Sequence, residues 1–260
     1  MRRLAPLALA ALAAACGAPE GPGELRVFAA ASLTEVMREI TAGFERETGA
    51  TVRLNLAASS VLARQIVEGA RCDVFISADP EGTDFVERAG LLEPGTRRDL
   101  LSNELALVRG EGVVPPPGLS IDRPEDAVAN AITRTEGRIA MGDPSYVPAG
   151  RYARTALQAL GVWDQAEPRI VPCESVRAAL ALAERGEVEY AVVYWTDARI
   201  SSRRLSSKRF PEVPGVAIRY PVAGLKGLSV GGRSFLARLE GPDAVAAFRR
   251  AGFVVPAAPR

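Results

Sequence analysis

The chain has 260 residues, 32 Lys and Arg against 31 Asp and Glu, a formal net charge of +1 and no histidine. Its size and composition fit a globular protein with room for one large domain or two lobes. The balanced charge, with no basic block interleaved with aromatics, argues against a nucleic-acid partner, and the missing histidine removes Ser-His-Asp and Cys-His pairs, His-ligated zinc and the usual general base near neutral pH.

The chain opens MRRLAPLALAALAAACGAPEGPGE: a basic start, an apolar run over 4–15, then Cys16-Gly17. The run is too short to span a bilayer and has the form of a secretory signal. Small residues ending in cysteine resemble the lipobox of bacterial lipoproteins, although Ala13 stands where that pattern prefers leucine. By that resemblance 1–16 is a signal peptide and Cys16 becomes the lipid-bearing first residue, anchored to the outer side of the cytoplasmic membrane. The alternative is an ordinary signal cleaved nearby, with Cys16 incidental. Residues 17–24, rich in Gly and Pro, read as a short tether.

From residue 24 strands and helices alternate. LRVFAAAS reads as a strand, and LTEVMREITAGFERETG as a helix with Leu33, Val36, Met37, Ile40 and Phe44 on one face, closed by Gly49. The rhythm repeats: strand TVRLNLAAS, helix VLARQIVEGA, strand CDVFISAD, helix TDFVERAGLL. After strand ELALVRG, the segment VVPPPG is the clearest punctuation in the chain. IDRPEDAVAN, RIAMGDP, RYARTALQALGVWDQ, PRIVPC, ESVRAALALAERGE and YAVVYWTDA then continue the rhythm, which makes a second lobe the economical reading. SSRRLSSKRFPEVPGVA reads as a polar loop, IRYPVAGL as a strand, and the tail as one long helix from about 229 to 251. The expectation is an α/β chain with mainly parallel sheets covered by helices. Cys72 and Cys173 lack CxxC spacing; a disulfide between them and two separate buried thiols both remain open.

Four junctions hand a strand to a helix through small or hydroxyl residues. Ser32, with Glu35 three positions on, has the S-x-x-E pattern of a capping box. Ser59 and Ser60 precede Val61, Ala149-Gly150 lead into Arg151, and Glu174-Ser175-Val176 open another helix. Each such junction offers unpaired N–H groups and the positive end of a helix dipole. In open α/β sheets ligands bind where such junctions gather, and an anion suits them.

The strings FAAASLTEVMREI, AASSVLARQIVEGARCDVFISAD, GDPSYVPAGRYARTAL, LGVWD, VRAALALAERGE, AVVYWTDA and GPDAVAAFRRAGF resemble the molybdate-binding proteins of bacterial ABC importers. The resemblance runs in order from about residue 25 to 253 and implies the two-lobed periplasmic binding protein fold (type II), with ligand in the interlobe cleft. It implies 25–104 with 220–260 as lobe 1 and 105–219 as lobe 2. It implies an exported, monomeric binder of molybdate and tungstate, not an enzyme, that needs no cofactor and delivers its ligand to ABC permease subunits in the membrane. Carried over one at a time, Ser32 and Ser59 would bind the oxyanion through hydroxyls and N–H groups, Ala149 and Val176 through backbone N–H, and Tyr194 through its phenol. No side chain would coordinate the metal directly; molybdenum would enter as its oxyanion. Within GDPSYVPAG the prolines fix the backbone, and Gly150 allows close approach so that the Ala149 amide meets a ligand oxygen. Ser145-Tyr146 and the bulky Trp195 depart from the family pattern, and Trp195 would narrow the pocket.

Two alternatives stand beside this. One is a binder of another oxyanion, such as sulfate, on the same fold. The other is a metal-dependent enzyme built on Asp79, Asp143 and Asp197. Hydroxyls both donate and accept, so selection against protonated oxyanions would be leaky, and cavity size would have to exclude sulfate.

Overall fold

The computed structural model describes residues 23–117, 127–201, 203 and 205–256. The expected signal, Cys16, most of the tether and residues 121–126 of the IDRPEDAVAN segment lie outside them.

The first sheet has the order β2-β1-β3-β10-β4, built from β1 (Glu24–Ala30), β2 (Thr51–Ala57), β3 (Val74–Ile76), β4 (Arg98–Ser102) and β10 (Arg219–Gly224). The second has the order β7-β6-β8-β5-β9, from β5 (Leu105–Arg109), β6 (Ile139–Gly142), β7 (Ile170–Cys173), β8 (Tyr190–Tyr194) and β9 (Ser207–Arg209). The two sheets share one plan. In the first, β1 pairs β2 and β3 in parallel and β10 runs antiparallel to its neighbours; in the second, β6 pairs β7 and β8 in parallel and β5 is the reversed strand. Each reversed strand is the one the chain lays down on arriving from the other sheet. The crossings run from Ser102 to Leu105 and from Arg209 to Arg219.

Helices follow the parallel strands, as right-handed crossovers require. The first sheet is followed by α1 (Thr34–Thr48), α2 (Ser59–Val67) and α3 (Pro80–Arg88); the second carries α4 (Ala127–Thr133), α5 (Pro148–Ala159), α6 (Trp163–Ala166), α7 (Val176–Glu184) and α8 (Trp195–Ile200). α1 buries Val36, Met37, Ile40 and Phe44, the stripe read from the sequence, and ends where Gly49 turns left-handed at φ 70°. The expected long tail helix is two: α9 (Val230–Glu240) and α10 (Pro242–Ala251). Gly241 leaves the helical region at ψ 159°, and Pro242 starts the new helix at its first position, where a missing N–H costs nothing. β4 and β9 went unread because RDLLS and SKR lack an apolar alternation. β4 borders β10 at the sheet edge, and β9 borders β5.

An aromatic chain runs beneath the crossings: Tyr194 to Tyr220 at 5.8 Å between centroids, Tyr220 to Phe253 at 5.5 Å and Phe253 to Phe248 at 6.2 Å. Cys72 and Cys173 are free thiols. Each Sγ contacts a carbonyl two residues on or back, and burial pushes the Cys72 thiol up. No helix among the described residues is long and apolar enough to cross a membrane.

Candidate functional site

The carboxyl ends of the parallel strands of both sheets meet around one compact cavity of about 20 Å³. Ser32, Ser59, Ala149, Val176 and Tyr194 all line it, so the five residues singled out by sequence converge. The remaining wall is small or apolar apart from Ser175, and no charged side chain lines the cavity. A larger cavity of about 510 Å³ follows the crossings past Ser102, Phe210, Val213 and Ile218, and none of the five reaches it.

The two serines do not do what their local patterns suggest. Ser32 lies within a 3-10 turn (Ala31–Leu33) between β1 and α1 and caps nothing; Leu33 occupies the cap position of α1, without a side-chain cap. Its Oγ instead lies 3.0 Å from Tyr220 Oη, 188 residues away. Glu35, the other half of the expected capping box, accepts at 3.0 Å from Arg177 of α7. Ser59 is the first residue of α2, after Ala58, and its Oγ accepts the Ala78 N–H at 2.8 Å. Ser60 Oγ is buried without a partner among the described residues.

From the second sheet, Val147 caps α5, Pro148 takes its first position, and Ala149 follows, where helix geometry leaves N–H groups unpaired. Gly150 permits a close approach between elements: a Cβ there would sit 2.0 Å from the Gly142 carbonyl oxygen, so glycine lets α5 rest on the end of β6. Ser175 caps α7 by accepting the Ala178 N–H at 3.2 Å, which leaves Val176 at the first position facing the cavity. Tyr194 ends β8 with 1% of its surface exposed, and its hydroxyl has no partner among the described residues. Burial holds that phenol well above its ordinary pKa, so it stays protonated.

Arginines beside the cavity tie the lobes together. Arg177, next to Val176, donates to the Ser32 carbonyl at 3.2 Å and lies 2.6 Å from Asp197, which also accepts the Tyr194 N–H at 3.3 Å. Arg151 of α5 pairs with Asp79 and, at 3.2 Å, with Glu81. The aspartates are therefore occupied separately. Asp79 caps α3 through the Gly82 N–H, Asp143 accepts from both the N–H and Oγ of Ser145, and Asp197 serves Arg177 and Tyr194. Among the described residues no three of His, Cys, Asp or Glu are grouped to hold a metal, so Asp79, Asp143 and Asp197 do not form one cluster. Trp195 does not narrow the cavity: it is absent from the wall, and its ring lies under the Arg209 guanidinium at 4.3 Å. Ser145 and Tyr146 line a separate cleft near Arg151.

Sequence reasoning missed Tyr220, Asn103 and Arg177. Tyr220 stands inside an ordinary strand pattern and Asn103 in a short connection, so only long-range packing brings them to Ser32. Arg177 had a usable signal, since an arginine at the second position of a helix opposes the helix dipole and so asks for a specific acid nearby.

A family model described as bacterial extracellular solute-binding protein matches residues 25–254. The molybdate-binding protein ModA of Escherichia coli K12 is 41% identical over 235 residues, covering 90% of each chain. ModA of Haemophilus influenzae is 33% identical over 244 residues, 92% of this chain and 94% of that one. Among solved structures, the periplasmic molybdate-binding protein of Azotobacter vinelandii superposes with a TM-score of 0.76 at 26% identity, covering 90% of this chain and all of its own.

Proposed function

This chain belongs to the bacterial extracellular solute-binding proteins, and from that membership we propose that it captures molybdate, and tungstate with it, outside the cytoplasmic membrane for delivery to an ABC permease. The observation that carries this reading is the meeting of Ser32, Ser59, Ala149, Val176 and Tyr194 at one cavity whose walls offer donors and no charge.

Burying a dianion is costly unless its oxygens are hydrogen-bonded, and bonds to a charged acceptor return about 1.5–3 kcal/mol each. Two hydroxyls from serines, a phenol and the N–H groups of two helix starts supply such bonds, with the α5 and α7 dipoles adding their positive ends. Because the donors come from both sheets, a bound anion favours closure, and the clasps of Arg151 and Arg177 on lobe 1 groups hold the closed form. The permease would read that closed form. Lobe 1 comprises 25–104 and 220–260, lobe 2 105–219; export by the leader and lipidation at Cys16 complete the proposal, with the protein acting as a monomer.

Isothermal titration with molybdate, tungstate and sulfate tests it. Tight binding of the first two with weak binding of sulfate is expected; preference for sulfate would overturn the assignment.

A further inference from the structure

Hydroxyl groups in a binding site are ordinarily ambivalent, each able to donate or accept. Here Ser32 and Ser59, two of the three serines on the cavity wall, each have an acceptor site occupied from within the protein. The Asn103 amide is oriented by Glu104, whose N–H donates to Asn103 Oδ1 at 2.9 Å. Its two amide hydrogens then go to Thr196 Oγ1 at 2.9 Å and Tyr220 Oη at 3.2 Å. Tyr220 is fully buried, and burial pushes its phenol up, so it keeps its single hydrogen. Ser32 Oγ, at 3.0 Å, is the group that hydrogen can reach. With an incoming bond already accepted from Tyr220, Ser32 has its own hydrogen left for the cavity. Ser59 is simpler: a backbone N–H can only donate, so the 2.8 Å bond from Ala78 makes Ser59 Oγ the acceptor there and leaves its own hydrogen for the cavity it lines.

We propose that Asn103 and Tyr220 are positioning residues that fix Ser32 as a donor, and that together with the Ala78 amide they make the cavity select oxyanions carrying no proton. The proposal rests on the cavity being an oxyanion site. A protonated oxygen facing either serine would set hydrogen against hydrogen, leaving a buried donor unmet. Tyr194 offers no escape, because a phenol that accepted from the ligand would strand its own hydrogen inside the closed cavity. The relay thus sharpens the filter that free hydroxyls would have left leaky.

Reversing the relay tests the idea. In Asn103→Asp a carboxylate can still accept the Glu104 N–H but now also accepts from Tyr220; Tyr220 accepts from Ser32, and Ser32 becomes an acceptor toward the ligand. The probes are three tetrahedral anions at pH ~7 and low micromolar concentration: molybdate, a dianion without protons; perrhenate, a monoanion without protons; and monomeric vanadate, a monoanion that carries them. Perrhenate controls for the charge introduced at position 103. The unaltered protein should bind molybdate best and vanadate poorly. In Asn103→Asp the ratio of vanadate to perrhenate affinity should rise about tenfold, the worth of one bond to a charged acceptor, and the rise should vanish in Asn103→Asp with Tyr220→Phe. An unchanged ratio, or a rise that survives loss of the Tyr220 hydroxyl, overturns the relay. If Asn103→Asp does not fold, Ser32→Ala serves: it should weaken perrhenate about tenfold and vanadate much less, and equal losses overturn the proposal. Should the unaltered protein bind none of the three anions, it is the oxyanion assignment that fails.

Discussion

Gly150→Ala adds one methyl group where the structure has no room for it. The new Cβ would lie 2.0 Å from the Gly142 oxygen, 2.6 Å from the Gly142 carbonyl carbon and 2.8 Å from the Asp143 carbonyl carbon. All three are backbone atoms, so no rotamer change relieves the clash, and the start of α5 must move by roughly 1 Å to restore ordinary contact. Overpacking of this kind costs about 1–3 kcal/mol, offset by the roughly 1 kcal/mol that alanine gains over glycine in a helix. The net loss, up to about 2 kcal/mol, lowers the melting temperature by up to about 8 °C in a chain of this size. The same displacement carries the adjacent Ala149 N–H away from the cavity, so molybdate affinity should fall about tenfold or more as one charge-assisted bond is lost. Gly43→Ala in α1 is the control. Its Cβ meets only guanidinium nitrogens at the ends of long side chains, Arg238 at 3.2 Å and Arg46 at 3.8 Å, and not backbone, so it should be neutral or slightly stabilising. Circular dichroism melts and isothermal titration read both variants. A Gly150→Ala protein that melts within a degree of the unaltered one and binds as tightly would refute the packing account.

Ser59→Ala should cost about 1–3 kcal/mol in denaturant titrations, because the buried Ala78 N–H loses its acceptor; binding should weaken as well, and a variant that loses affinity with full stability contradicts the assigned bond. Arg177→Met leaves the fully buried Asp197 without its partner and should destabilise by about 3–5 kcal/mol. Adding Asp197→Asn should recover part of that loss, whereas additive effects in the double-mutant cycle would show that the pair is not coupled. Burial pushes the Asp197 carboxyl up to about 7 against the pull of Arg177, compared with about 3.9 in an unfolded chain. The folded chain therefore takes up this proton at higher pH than the unfolded one. Its contribution to stability is complete below pH ~4 and is lost as the pH rises to ~7, at about 1.4 kcal/mol per unit. The stability of Asp197→Asn relative to the unaltered protein should accordingly increase from pH ~5 to ~7, and parallel profiles would exclude the shift.

The strand–helix rhythm was legible because each element shows its periodicity within about ten residues, and the junctions that hold Ser32, Ser59, Ala149 and Val176 because topology must gather them on one side of parallel sheets, whereas the choice of residue within each junction, and Tyr194 altogether, came from the family resemblance. Roles were less legible than places. Ser32 and Glu35 match a capping box in spacing, yet their partners, Tyr220 and Arg177, lie 188 and 142 residues away, and those longer bonds prevailed over the local pattern. Gly150 is a concession to β6, whose terminal carbonyl a side chain there would strike, and the sequence alone did not show that contact. The break at Gly241-Pro242 was written in the sequence, but the apolar spacing on either side hid it. Nothing in a single sequence ties Asn103 to Tyr220, since neither belongs to a motif and 117 residues separate them.

Asn103 occupies the short crossing between β4 and β5, bonded on one side to Thr196 at the start of α8 and on the other to Tyr220 near the start of β10. It is thus a pin at one of the two points where the chain passes from one sheet to the other. The polarity proposed for Ser32 is therefore set at that crossing, away from the cavity wall. An incoming anion meets a receptor whose hydrogens are already aimed, and shutting the jaws adds grip without having to teach the site what to refuse.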